Sequence, residues 1–334
     1  TYIVDYDTAG QAINLVYSDA TIGWTPSSDI ANALEPYIPV TQKAIFAYGH
    51  NYSAHVSMSN LVNSSGVVAS DVSGVGTARN RLAATGYGTD KAIMAYGTSG
   101  STVSLSNLVN NSGVIAADVT GVGTARNSVA ATGYGTDKGI FAYGYSGSAS
   151  VSVSNLVSNS GVVASDVSGV GTARNALGAA GYGVGLAIFA YGVDPSGGDY
   201  SLKNLVNISG VIAADVTGVG TARSGLAAAN YGTGLDKAIF YSGINAGGTK
   251  FTVRNLVNNV GTVASDATGA GTARMFFAGA SYGGDKAIFA YGDPGDTTTN
   301  VSNLVSNVGV VSADVTGVGT SRYGPGAAGF STSA

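Results

Sequence analysis

One motif recurs six times in a single register, and whatever the chain folds into has to repeat with it. The string Gly-Thr-Ala-Arg, Gly-Thr-Ser-Arg in the last copy, ends at Arg79, Arg126, Arg174, Arg223, Arg274 and Arg322. Asn-Leu-Val begins at Asn60, Asn107, Asn155, Asn204, Asn255 and Asn303, and successive copies of both strings lie 47, 48, 49, 51 and 48 residues apart. An aspartate follows each of these asparagines by eleven residues, at Asp71, Asp118, Asp166, Asp215, Asp266 and Asp314. A period of roughly 40–50 residues belongs to propeller blades or to stacked helical pairs.

The residues between the anchors decide for strands. One unit holds four short apolar runs: Val129-Ala-Ala-Thr-Gly-Tyr, Gly139-Ile-Phe-Ala-Tyr, Val151-Ser-Val-Ser-Asn-Leu-Val and Gly161-Val-Val-Ala-Ser. They are rich in Val, Ile, Phe and Tyr, several alternate with period two, and Gly, Asn, Asp and Ser separate them. The chain carries 51 glycines, each costing a helix about 1 kcal/mol. The reading is all-β: a six-bladed β-propeller of four-stranded antiparallel blades over residues 42–334. The last copy supplies only a first strand, around Ala327–Phe330, and the copy starting near Lys43 lacks one. The C-terminal strand is therefore expected to pair with the first blade and close the ring, leaving no edge exposed. Residues 1–41 stand outside the repeat. Tyr2–Tyr6 and Gln11–Tyr17 read as strands, and Ser27–Glu35 as a short capped helix ended by Pro36. This segment is expected to attach the propeller to something else.

The repeated Asp and Arg flank the turn Asp-Val-Ser/Thr-Gly-Val-Gly-Thr-Ala-Arg. All twelve are assigned to scaffolding, because six identical sites do not make one active site. The carboxylate is expected to accept N–H bonds within its own turn, and the guanidinium to bind carbonyls or a carboxylate of the next blade. One carboxylate per turn is too few for calcium, which takes six to eight oxygens, and a Gly-rich turn followed by a strand lacks the helix N-terminus that cradles phosphate. Two aromatic series, Tyr48, Tyr96, Tyr143, Tyr191, Tyr241 and Tyr291, and Tyr87, Tyr134, Tyr182, Tyr231, Tyr282 and Phe330, are read as packing between blades.

Function is sought where the copies diverge. The variable segments are His50–His55, Thr98–Thr102, Tyr145–Ser150, Val193–Tyr200, Ile244–Lys250 and Asp293–Thr299. Each joins the second strand of a blade to the third, so all six share one face. The candidate binding residues on it are His50, Tyr52, His55, Tyr145, Asp194, Asp199, Tyr200, Asn245, Lys250, Asp293 and Asp296. Both histidines sit in one loop and Glu35 is the only glutamate, so the pattern shows no triad, no acid pair of the glycosidase kind and no metal set. No catalysis and no cofactor are expected. A net charge of -4 gives no basic face for nucleic acid, and no apolar run is long enough for a membrane-spanning helix.

Arg126–Gly144 resembles a kelch-type repeat, with an Arg opening the first strand and a short turn leading to a second strand that ends in Gly; Tyr-Gly stands in place of the kelch double Gly, and the fourth-strand Trp is missing. The units Gly135-Thr-Asp-Lys-Gly-Ile-Phe-Ala-Tyr-Gly and Ser154-Asn-Leu-Val-Ser-Asn-Ser-Gly-Val-Val-Ala-Ser-Asp are similar to those of repeat-rich structural proteins of tailed bacteriophages, especially cyanophages. The stretch Ile13–Trp24 also looks like one common in phage virion proteins. This resemblance implies a virion component: a tail fibre, tail-associated or capsid decoration protein. It would be held through residues 1–41 by other virion proteins, as a homo-oligomer, and would meet a host surface glycan or protein. The alternative is a carbohydrate-binding lectin or adhesin, at a cell surface or secreted.

Overall fold

The computed structural model describes residues 15–19, 23–26 and 40–333. The chain divides into two compact units, Thr1–Pro39 and Val40–Ala334. In the first, β1 (Leu15–Asp19) and β2 (Gly23–Pro26) pair antiparallel. The strand expected at 2–6 and the helix expected at 27–35 lie outside the described residues.

The second unit is six antiparallel sheets in series. β3 (Lys43–His50) and β4 (His55–Val62) begin the first. The second is β5 (Ala83–Tyr87), β6 (Lys91–Ala95) and β7 (Ser106–Val109), and the third β8 (Ala130–Tyr134), β9 (Lys138–Ala142) and β10 (Ser154–Val157). The fourth is β11 (Gly178–Tyr182), β12 (Leu186–Ala190) and β13 (Lys203–Val206). The fifth has four strands, β14 (Ala227–Tyr231), β15 (Lys237–Tyr241), β16 (Val253–Val257) and β17 (Ala267–Thr268). The sixth is β18 (Ala278–Tyr282), β19 (Lys286–Ala290) and β20 (Ser302–Val305). β21 (Gly326–Phe330) then pairs with β3, from Gly326 opposite Ala47 to Phe330 opposite Lys43.

Strand composition follows position. The middle strand of each sheet is covered on both sides, so its sequence is a continuous apolar run rather than an alternation; Ile45, Phe46, Ile93, Phe141 and Phe189 are fully buried. The first strands, β5, β8, β11, β14, β18 and β21, pack against one another in succession, with β21 also against β5. Before their closing Tyr or Phe they are built of Ala, Gly, Ser and Thr, with Asn230 the one exception, because larger side chains do not fit. A Cβ at Gly178 would stand 2.9 Å from the Phe240 ring.

Two rings of backbone hydrogen bonds cross the ends of these first strands. Ser128 N–H donates to Arg81 C=O, Ala176 to Ser128, Gly225 to Ala176, Phe276 to Gly225, Gly324 to Phe276 and Arg81 to Gly324, at 2.6–3.0 Å. All six residues have positive φ, between 49° and 63°. At the far end Gly88 N–H donates to Asp137 C=O, Gly135 to Gly185, Gly183 to Asp236, Gly232 to Asp285, Gly283 to Gln42 and Ser331 to Asp90, at 2.7–3.0 Å.

The expected fourth strand forms a true ladder in the fifth sheet only. Elsewhere the fourth segment is held by two isolated bridges, as in Ser59–Val72 and Val62–Val68. These lie three residues apart on β4 and four apart on the segment, so one residue bulges out. At the bulge Asn60 Nδ2 donates to the Ala69 carbonyl at 2.9 Å, and Asn255 makes the same bond to Ala264 in the fifth sheet, so the side chain fills the bulge in every copy.

Candidate binding surface

The repeated polar residues are used up between the sheets. Each Asp accepts hydrogen bonds from the preceding repeat, not from its own turn as the sequence suggested. Asp118 takes the Thr77 N–H at 3.0 Å and the Thr77 hydroxyl at 2.6 Å, while Asn107 Nδ2 donates to it at 2.9 Å. Asp166, Asp215, Asp266 and Asp314 hold Thr124, Thr172, Thr221 and Thr272 in the same way. Asp71 holds Thr320, from the other end of the chain. The turn glycine makes room: Gly76 has φ +74°, and a Cβ there would collide with the Asp118 carboxylate.

Each Arg is fully buried. Arg126 Nε donates to the Tyr143 carbonyl at 2.9 Å, one terminal nitrogen to the Thr124 carbonyl at 3.0 Å and the other to Asn155 Oδ1 at 2.6 Å. Its guanidinium lies over the Tyr96 ring of the preceding sheet, 4.1 Å from the centroid. Arg79, Arg174, Arg223 and Arg322 lie likewise over Tyr48, Tyr143, Tyr191 and Tyr291. Five of the six also stand 3.8–4.0 Å from the clasp carboxylate.

The tyrosine series needs one correction. Tyr48, Tyr96, Tyr143, Tyr191 and Tyr291 share a left-handed backbone, φ 62–66°, and in the fifth sheet that place belongs to Ser242, φ 58°, not Tyr241. Tyr241 sits one position earlier, paired with Ala227 inside the ladder. Arg274 accordingly lies over Phe277 instead, at 5.0 Å. Alignment on the glycine that follows, Gly243, shows the slip in the sequence.

The clasps set an acid limit. Burial alone would raise the carboxyls of Asp71, Asp118, Asp166, Asp215, Asp266 and Asp314; the Thr hydroxyl, the Asn amide and the Thr N–H together outweigh it and hold all six below the usual 3.8. A carboxyl with a depressed folded pKa stabilises fully above its unfolded value and loses that contribution as pH falls through the folded one. His55 acts at higher pH: burial, then the neighbouring His50, hold its pKa below 6.5, so its effect begins as pH drops below that value. The melting temperature is expected to decline slightly below pH 6.5 and steeply below about 4. Thermal melts across this range check it; a melting temperature unchanged down to about pH 3 would contradict the clasps.

The six variable segments ring the end where Arg81, Ser128, Ala176, Gly225, Phe276 and Gly324 meet. Their first residues bridge to the residue after each repeated Arg: His50 to Tyr323, Thr98 to Asn80, Tyr145 to Asn127, Val193 to Asn175, Ile244 to Ser224 and Asp293 to Met275. Sequence reasoning singled out eleven residues here, and they divide. Asp194 accepts from Ser196 N–H and Oγ, Gly198 N–H and the Tyr200 hydroxyl, so Asp194 and Tyr200 hold their own loop. Asn245 does the same through Thr249 N–H. Asp199 lies beside Ser224 and Ala246 without a well-formed hydrogen bond, and burial pushes its carboxyl up. Tyr145 bridges to Ser150 and Lys250 to Ile244, each within its own loop.

The other five come together where the sixth sheet meets the first. His50 and His55 are cross-strand partners with ring centroids 4.8 Å apart. The Tyr52 hydroxyl donates to Asp293 Oδ2 at 2.8 Å. Burial, then the Asp293 bond, push the Tyr52 phenol up to about 12, with Asp296 adding to the effect. Three residues that sequence reasoning missed complete the group. Tyr323 packs on Tyr52 at 5.2 Å, His50 at 5.5 Å and Phe276 at 6.5 Å, and Arg81 lies over Phe276 at 4.6 Å. The signal was the pair of residues after each repeated Arg: Asn80-Arg81, Asn127-Ser128, Asn175-Ala176, Ser224-Gly225, Met275-Phe276 and Tyr323-Gly324.

The opposite end is uniform. Exposed Val67, Val114, Val162, Val211 and Val310 occupy one position in five repeats, with Thr262 in the other; the departures there are Ile208, where other copies have Ser or Asn, and Val260 and Val308, where four copies have Ser. Among the described residues no three His, Cys, Asp or Glu side chains converge on a metal position, and no helix is long and apolar enough to cross a membrane. No family model matches the chain, and no curated protein matches it; the kelch-type resemblance rests on the repeat units, and the phage resemblance on those units and on Ile13–Trp24.

Proposed function

We propose that residues 42–334 form a closed six-bladed β-propeller acting as a non-enzymatic contact module of a phage virion, in a tail fibre, tail-associated or capsid decoration protein. One observation carries the contact reading. The repeated Asp, Arg, Asn and Thr are consumed between sheets, while residue diversity concentrates on one end, around Arg81 and Phe276. Closure is supported by the pairing of β21 with β3 and by the two hydrogen-bond rings. The virion setting is supported by the resemblance of the units. In this reading residues 1–41 fasten the module to other virion proteins within a homo-oligomer. The variable end meets a host surface glycan or protein, and the uniform end, with its exposed valines, faces the particle.

The test is a short epitope inserted between Gly197 and Gly198, in an exposed loop, followed by immunogold imaging of purified particles and an adsorption assay. Label on particles together with blocked adsorption is the expected result. Label without any effect on adsorption would make the protein cladding. Label on cells and not on particles would replace the virion reading with the cell-surface lectin.

A further inference from the structure

The junction of the sixth and first sheets departs from the repeat in a concentrated way. Tyr323 stands where three copies have Asn, Phe276 where others have Ser128, Ala176 or Gly225, and His50 where another has Thr98. Tyr52 is half exposed, yet it is not loose. Its φ of 68° is a strained value for an aromatic residue. Its N–H donates to His50 Nδ1 at 2.9 Å, and its hydroxyl is pinned across the junction by Asp293, itself held by the Gly295 N–H at 2.7 Å. Strain kept in place by neighbouring contacts is a mark of pre-organisation. Arg81 and Phe276 continue the group to the axial depression, whose lining includes Leu82, Leu226 and Phe277.

The size and charge of this patch select among ligands. A stable protein interface takes about 800 Å² from each partner, with aromatic or Arg anchors near its centre. The flanking loops Thr98–Thr102 and Ile244–Lys250 carry no aromatic residue, so the aromatic anchors cover one junction only, which suits a small ligand. Asp293 and Asp296 are offset by Arg81 and by Lys250, whose Nζ reaches their loop at Gly295, so the patch favours neither an anion nor a cation. What remains is a neutral molecule with an apolar face and a polar rim.

We propose that the Tyr52–Tyr323 pair is a platform for a neutral saccharide, one pyranose ring packing its C–H face on the aromatics while Arg81 bonds its hydroxyls. This rests on the variable end being the contact face. The site takes the ring by stacking, because aromatic faces pair with apolar C–H groups and leave the hydroxyl rim free for polar side chains.

The test is saturation-transfer NMR on the full chain with the methyl glycosides of glucose, galactose, mannose and N-acetylglucosamine. Tyr323→Asn and Phe276→Ser, which restore residues other repeats carry, are compared with the native chain, and the melting temperature of each confirms folding. The expected result is transfer to at least one glycoside, with affinity about tenfold weaker in Tyr323→Asn. Transfer unchanged in both variants would overturn this site while leaving a saccharide-binding face in place. No transfer to any of the four would overturn the saccharide assignment; the contact face itself stands or falls separately, on particle labelling.

Discussion

Arg126→Met is expected to destabilise the folded chain by about 3–5 kcal/mol, read as a lower denaturation midpoint in guanidinium chloride. The substitution preserves much of the volume but removes the guanidinium. The Tyr143 carbonyl and Asn155 Oδ1 lose their donor in a buried site, and the half-buried Thr124 carbonyl loses its donor too. Each buried acceptor left unpaired costs about 1–3 kcal/mol, and the cation over Tyr96 goes as well. Arg126→Lys keeps the charge but cannot present a planar fork to three acceptors, so its midpoint should fall between the two. A loss under about 1 kcal/mol in Arg126→Met would show that the clasp is decoration.

Ending the chain after Tyr323 should cost more, up to cooperative folding itself. That truncation removes β21 and exposes one edge of β3. It also removes Gly324 from one hydrogen-bond ring and Ser331 from the other. An unpaired edge beside a buried apolar strand invites association between chains. The truncated protein is expected to aggregate or to melt without a sharp transition, and a synthetic peptide of residues 324–334 should restore part of the transition. Size-exclusion chromatography and circular dichroism read both effects. An unchanged melting temperature would mean that the last strand is not needed to close the structure.

The sequence carried the repeat number, the strand class and the return of the last strand to the first sheet, because each is written as a periodic string. It carried less about partners. Asp118 and Thr77 are 41 residues apart in the chain, and nothing local in the turn shows that its carboxylate reaches back to the previous unit. The fourth strand is a ladder in one sheet only although Gly-Val-Val-Ala-Ser has strand composition, because the bulge that splits it is filled by the Asn60 side chain of another strand, which nothing in the segment itself displays. In the candidate site His50, Tyr52, His55, Asp293 and Asp296 stood out as departures between copies. Arg81, Phe276 and Tyr323 did not, because they directly follow the best-matched string in the repeat, outside the variable loops. Their grouping depends on bringing together the two ends of the repeat array, and periodicity does not display that.

The last strand's return has a consequence for how such a unit can travel between proteins. Gln42 N–H donates to the Ser331 carbonyl at 2.7 Å, so the way into the sixfold unit and the way out lie side by side. A segment whose entry and exit coincide can be spliced into a surface loop of an unrelated host without prising that loop apart. It can also be reopened at another loop and rejoined at Gln42 and Ser331. The unit is in this sense a cassette, whose place in a longer polypeptide is set by what it is attached to and not by its own fold.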